Sequence, residues 1–300
     1  MQKDKLFHYA HLHFLVFIAG FTAVLGKLIS IDALPLVWYR MGMATLLILL
    51  FVKLRKIRLR FSKRAIAAFS VVGLVIALHW ITFFWAIKVS NVSITLAVIS
   101  SGAFFASFLE PIFFKRRVYA YEVFFGILAI VGLYVIFRIE TEYITGILLA
   151  LASAFLGGLF SVINGKLRIH YNPVAITYYE MLSGTLFVTL FLLINGDFTT
   201  GFFSLLAMDW IYLFILASAC TAYAFIAGVH LMKWISPYTL VLSYNMEPVY
   251  GILLALVILN DSEKMSPQFY YGALIILLTV AANGITKMYL QRKNNRISPS

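Results

Sequence analysis

Ser243-Tyr244-Asn245-Met246-Glu247-Pro248-Val249-Tyr250 lies inside an apolar segment running from about Pro237 to Asn260. A bilayer crossing takes about 20 apolar residues, which this segment supplies. Glu247 falls about ten residues in, close to the midplane at a rise of about 1.5 Å per residue. An acid at that depth costs on the order of 2.5–3.5 kcal/mol. Pro248 follows, with no N–H to give and a ring that clashes with the carbonyl four residues back, that of Tyr244. One helical turn therefore gathers a carboxyl, a freed carbonyl, an amide and two phenols. Such a group faces protein or a water-filled cavity, not lipid.

The rest of the chain agrees with a membrane setting. Of its 300 residues 62% are hydrophobic and 12% charged, which excludes a water-soluble domain of this size. The expected fold is all-α, a polytopic membrane protein whose helices cohere by packing and a few buried polar contacts. The lone Cys220 excludes an intrachain disulfide and a cysteine-based metal cluster, and no cofactor is implied. The apolar run after Lys5 carries no small-residue cleavage site and reads as the first helix.

Ten apolar segments can be cut out: 8–28, 34–52, 65–87, 91–114, 119–138, 144–165, 173–194, 210–232, 237–260 and 267–287. Pro35, Pro173, Pro237 and Pro267 stand at or near helix starts, where a missing N–H costs little. With the N-terminus cytoplasmic, 19 of the 24 basic residues fall on the cytoplasmic side, including the run Lys53 to Arg64 and Lys115, Arg116 and Arg117. The other side holds Lys27, Lys88, Arg138 and Lys264 against seven acids. The positive-inside rule then places both termini in the cytoplasm. The basic run from Lys53 reads as a topogenic loop rather than a nucleic-acid or acidic-lipid site.

The halves repeat. Lys88, Ser90 and Asn91 before one span match Lys233, Ser236 and Pro237 before another, an offset of about 145 residues. Gly26, Lys27 and Leu28 match Gly165, Lys166 and Leu167 at an offset of 139. Five helices per half is an odd number, so the second copy enters from the opposite side. An inverted 5+5 repeat follows, with units 1–143 and 144–300, and such repeats place a substrate site at their interface near the midplane.

With these features, and with Pro35 and Arg40 in its second helix, the chain resembles the drug/metabolite transporter superfamily, EamA type. The resemblance covers nearly the whole chain and rests best on Asn91 to Arg117 and Ser236 to Glu263. It implies export or exchange of small metabolites, amino acids among them, in a bacterial cytoplasmic (inner) membrane. The halves differ chemically: Gly102 and Ala103 stand opposite Glu247 and Pro248, and Lys115 to Arg117 opposite Asp261 to Glu263.

Candidate substrate-binding residues follow from charge and polarity at depth. Glu247 leads, as a proton carrier or a partner for a positive group, against a purely structural ion pair. Tyr244 shares its face three residues earlier, and Tyr250 lies near. Arg40 either anchors a substrate carboxylate or snorkels to the surface. Glu180 either lines a vestibule or pairs with Lys166 or Arg168. His79 reads as a proton relay or a hydrogen-bonded packing residue. Trp80 and Phe84 form one aromatic stripe, and Ser100, Ser101 and Gly102 allow close helix approach or leave space for substrate. Glu110 and Glu122 read as interfacial partners of Lys115 to Arg117.

The expected partners are the lipid bilayer and a small-molecule substrate; a coupling proton and a homodimer stay open. A secondary transporter working by alternating access is the leading reading. An intramembrane enzyme is the alternative from another class, but H-E-x-x-H and G-x-S-x-G motifs are absent, as is the P-loop of an ATP-driven pump. A drug or nucleotide-sugar transporter is the alternative within the superfamily, the latter wanting a more cationic cavity.

Overall fold

The computed structural model describes residues 2–115, 117–231, 234, 243–244 and 246–297. Arg116, Asn245 and the landmarks Lys233, Ser236, Pro237 and Tyr238 lie outside the described residues. The chain runs through α1 (Gln2–Leu28), α2 (Ala33–Leu54), α3 (Lys63–Val89), α4 (Val92–Ile99), α5 (Gly102–Phe114), α6 (Ala120–Ile139) and α7 (Ile144–Leu167). It continues through α8 (Pro173–Asn195), the short α9 (Thr200–Phe203), α10 (Ala207–Ala217), α11 (Ala224–Leu231), α12 (Glu247–Ile258) and α13 (Pro267–Ile297). Among the described residues eight helical stretches are long and apolar enough to cross a membrane. Two shorter apolar helices, Ala120–Ile136 and Glu247–Ile258, stand with them.

The starts and stops follow local chemistry. Asn172 caps α8 by accepting the Val174 N–H at 2.9 Å, with Pro173 at the first helical position. Asn91 caps α4 through Ile94 N–H at 2.8 Å, and Ser62 caps α3 through Ala65 N–H at 3.2 Å. Gly196 ends α8 in the left-handed region at φ 70°, where a residue without Cβ is unstrained.

Three interruptions break the regular pattern. The fourth apolar segment is not one uniform helix: α4 gives way to α5 at Ser100 and Ser101. Their hydroxyls donate to the carbonyls of Ala97 at 2.6 Å and Val98 at 2.7 Å. The eighth segment carries a π-helical turn at Ser218–Tyr223 between α10 and α11. In the ninth, α12 starts at Glu247 behind a turn at Met246, whose N–H donates to the Ser243 carbonyl at 3.0 Å. Pro248 therefore does not sit mid-helix. It occupies the first turn of α12, where its missing N–H costs nothing. The breaks at Ser101 and Met246 are 145 residues apart.

Packing centres on α3, which lies against both α7 and α8. The pairs α1–α12, α7 with α4 and α5, α2–α8, α2–α10 and α6–α13 complete the bundle. Small residues let backbones meet at several of these crossings. A Cβ on Gly20 of α1 would sit 2.7 Å from the Gly251 nitrogen and 3.0 Å from the Glu247 carbonyl oxygen of α12. A Cβ on Gly158 of α7 would sit 3.1 Å from both the Ala106 nitrogen and the Gly102 carbonyl oxygen of α5.

Candidate functional site

The two ends of the bundle differ in chemistry. The end that holds the 29–32 and 259–266 connections is acidic and tied together. Asp209 of α10 is buried and accepts both the Ser30 N–H at 2.7 Å and the Ser30 hydroxyl at 2.5 Å. Glu263, wholly buried, takes the Val92 and Ser93 N–H groups at 3.0 and 2.8 Å. A carboxylate on the free N–H groups at a helix start is a favourable arrangement. Lys27 Nζ donates to the carbonyls of Ile87 and Ser90, both at 3.3 Å, and Lys88 Nζ to that of Ile29. These bonds join the ends of α1, α3, α4, α10 and α12.

The basic end carries ties of its own. Tyr179 hydroxyl donates to the Leu59 carbonyl at 2.6 Å, and Lys166 Nζ to the Phe113 carbonyl at 3.3 Å. Glu122 at this end accepts the Tyr119 N–H at 3.0 Å and so caps α6.

Between the ends lies a polar cluster in an apolar frame. Arg40 of α2 is 3% exposed. Its guanidinium carbon stands 3.8 Å above the Trp80 ring and 5.5 Å from that of Phe84. Its Nε donates to the Thr221 hydroxyl at 2.9 Å, while Nη1 is buried without a hydrogen-bond partner. The arginine therefore does not snorkel. A desolvated cation over an indole face gains about 2 kcal/mol, and the unmet N–H groups point to a further acceptor. Thr221 reaches Arg40 because the π turn adds a residue there. Its hydroxyl closes onto the Leu216 carbonyl, five residues back, at 2.8 Å.

Glu247 is half-buried at the head of α12, and its charge and that of Arg40 act on each other across the interior. Tyr244 is partly buried in the same core and close enough to Glu247 to feel its charge. Arg40 on Trp80, and Glu247 with Tyr244, thus lie within reach of one another's charge, as does buried Cys220 with the arginine.

Four other candidates fall elsewhere. His79 turns to α7: Ser153 offers its carbonyl at 2.8 Å and its hydroxyl at 2.9 Å to Nδ1, and the same hydroxyl donates to the His79 carbonyl. Phe83 and Phe160 flank the ring. Tyr250 bonds through its hydroxyl to His13 Nδ1 at 3.2 Å on the α1–α12 face. Ser100 spends its hydroxyl on its own helix. Glu180 is 1% exposed on α8 and makes no ion pair with Lys166 or Arg168. Thr221, Ser153 and Asn164 carry polar contacts that the sequence did not single out. The only hint was small polar residues inside apolar runs.

A model of the EamA-like transporter family matches the chain twice, over residues 10–138 and 144–284. The chain belongs to the EamA-like transporter family. Family membership makes it an integral membrane protein of a transporter family that handles small molecules, and it accounts for the two similar halves. No curated protein matches the chain. A solved structure described as "Crystal structure of protein" is similar in fold, with a TM-score of 0.64 at 16% identity. The match covers 91% of this chain and 95% of that one.

Proposed function

We propose that the chain is a secondary-active transporter that exports or exchanges small zwitterionic metabolites such as amino acids. The observation that carries this reading is the cluster of Arg40, Trp80, Glu247 and Tyr244. A guanidinium with an unused N–H lies on an indole face, and a half-buried carboxyl lies within reach of its charge. A substrate carboxylate completes the arginine, a substrate ammonium completes the glutamate, and its apolar part lies on the indole. A nucleotide-sugar would call for several cations at this depth, and among the described residues the cluster holds Arg40 alone.

Alternating access between two inverted repeats, 1–143 and 144–300, is the mechanism proposed. The glycine contacts support it. Adding 138 to Gly20 gives Gly158, and subtracting 145 from Glu247 and Gly251 gives Gly102 and Ala106. These are the residues that meet in the two crossings. The tied acidic end fits one of two rocking states, with the basic end and both termini cytoplasmic in an inner membrane.

The test is uptake of labelled amino acids, polyamines and nucleosides into proteoliposomes holding the native protein or Glu247→Gln. Saturable amino-acid uptake, lost in Glu247→Gln with folding retained, is expected. Uptake confined to polyamines or nucleosides, or unchanged in the variant, would remove this reading of the site.

A further inference from the structure

We propose that Glu180 carries a coupling proton and that Asn164 holds it, an assignment that rests on the transporter reading above. Glu180 lies on α8 where the backbone is pressed against α3; a Cβ on Gly73 would strike its carbonyl. Neither of its carboxyl oxygens has a hydrogen-bond partner, and the residue is 1% exposed. Asn164 of α7 lies beside it, its side chain within reach of the carboxyl, and the Asn164 Oδ1 is likewise buried and unpartnered.

Two carboxyl oxygens and an amide oxygen, all buried with only the Asn164 amide beside them, make a poor home for a charge. An unpaired ionised carboxylate costs several kcal/mol when buried. One proton answers the deficit. It turns one Glu180 oxygen into an O–H donor, and the unpartnered Asn164 Oδ1 is an acceptor for it. A divalent metal ion would ask for about six oxygens, more than these residues supply.

No neighbouring charge takes the proton's place. The ionisable groups on the elements packed nearby are Tyr39, Arg40 and Lys53 on α2, Lys63, Arg64, His79 and Lys88 on α3, Lys166 on α7 and His230 on α11. Among the described residues none forms an ion pair with Glu180. Arg40 is bonded to Thr221, His79 to Ser153 and Lys166 to the Phe113 carbonyl. On α8 itself, Tyr179 donates to Leu59, and the Ser183 hydroxyl is spent on the Tyr179 and Glu180 carbonyls at 2.7 and 3.2 Å.

The step is a proton transfer. Glu180 carboxylate takes a proton from water on one side when α8 parts from α3, is buried as the neutral acid, and returns the proton to water on the other side. Bound substrate and bound proton then share the same rocking motion from separate sites.

The experiment uses proteoliposomes with the native chain, Glu180→Gln and Glu180→Asp, and a labelled amino-acid mixture as probe. Accumulation driven by a pH gradient and counterflow exchange at equal pH are measured side by side. In Glu180→Gln, gradient-driven accumulation should fall at least about tenfold while counterflow stays within about twofold. Glu180→Asp should keep part of the gradient response with a displaced pH profile. Undiminished accumulation in Glu180→Gln would overturn the assignment, as would parallel loss of counterflow in a variant that melts like the native protein. A native chain with counterflow but no response to the gradient would overturn the proton role and leave the transporter reading standing. A native chain with neither would overturn both.

Discussion

Arg40 and Trp80 are stacked in the middle of the bundle, the guanidinium carbon 3.8 Å above the indole ring. The pairing fixes the arginine's plane and leaves Nη1 unused. Lysine is a point charge with no plane to stack and no fork to offer. Arg40→Lys should therefore lower kcat/KM for uptake about tenfold or more while the melting temperature changes little. Equal kinetics for Arg40→Lys and native protein would show that the planar fork is not used.

The His79–Ser153 contact ties α3 to α7. Ser153→Ala removes the hydroxyl's bonds to Nδ1 and to the His79 carbonyl while the Ser153 carbonyl still serves Nδ1, and should destabilise by about 1 kcal/mol. Thermal unfolding should register the loss while KM stays within about twofold. A large KM change at unaltered stability would place His79 in the transport path instead.

Gly20 and Gly251 hold α1 and α12 in backbone contact. Gly251→Leu has no room, since even a Cβ there meets the Leu96 side chain and the Gly20 carbonyl. It should abolish a monodisperse detergent-solubilised peak. Gly228→Ala is the control, because nothing lies within 4 Å of a Cβ at that position. Equal behaviour of the two variants would count against the crossing.

The tied acidic end supplies another expectation. Asp209 and Glu263 accept four bonds from backbone and serine groups across it. Bonds to a charged group are worth about 1.5–3 kcal/mol each, so losing a charge biases the bundle towards opening there. Cys220, the single and buried cysteine, is a built-in reporter beside Arg40. In Asp209→Asn a membrane-impermeant thiol reagent applied from that side should modify Cys220 at least about tenfold faster. An unchanged rate would show that these bonds do not hold the closed state.

The helices were legible because apolar length and helix-start chemistry are local. Pro173, Asn91 and Pro267 mark starts within a residue or two of where they fall. The acid-poor basic run from Lys53 likewise announced one end of the bundle. The interruptions were not legible. Nothing local separates Ser218 to Tyr223 from an ordinary helical run; its π turn is seen only in packing, where Thr221 meets Arg40. Pro248 was read as a mid-helix break because its span was taken as continuous, whereas the turn at Met246 moves it to a helix start. In the cluster, Arg40, Trp80, Tyr244 and Glu247 were visible as polar or aromatic groups at depth. That Arg40 stacks on Trp80 and His79 turns away depends on which faces meet, and one sequence does not record that.

The central claim is that Arg40 and Glu247 divide the two charges of one substrate between them. The most direct measurement is binding to purified protein of the transported amino acid, its decarboxylated amine and its deaminated acid. Each is titrated against native chain, Arg40→Gln and Glu247→Gln. Removing the substrate carboxylate should weaken binding to native protein at least about tenfold and matter little in Arg40→Gln. Removing the amine should show the same relation with Glu247→Gln, the non-additivity expected of groups in contact. Penalties that simply add in every combination would contradict the account.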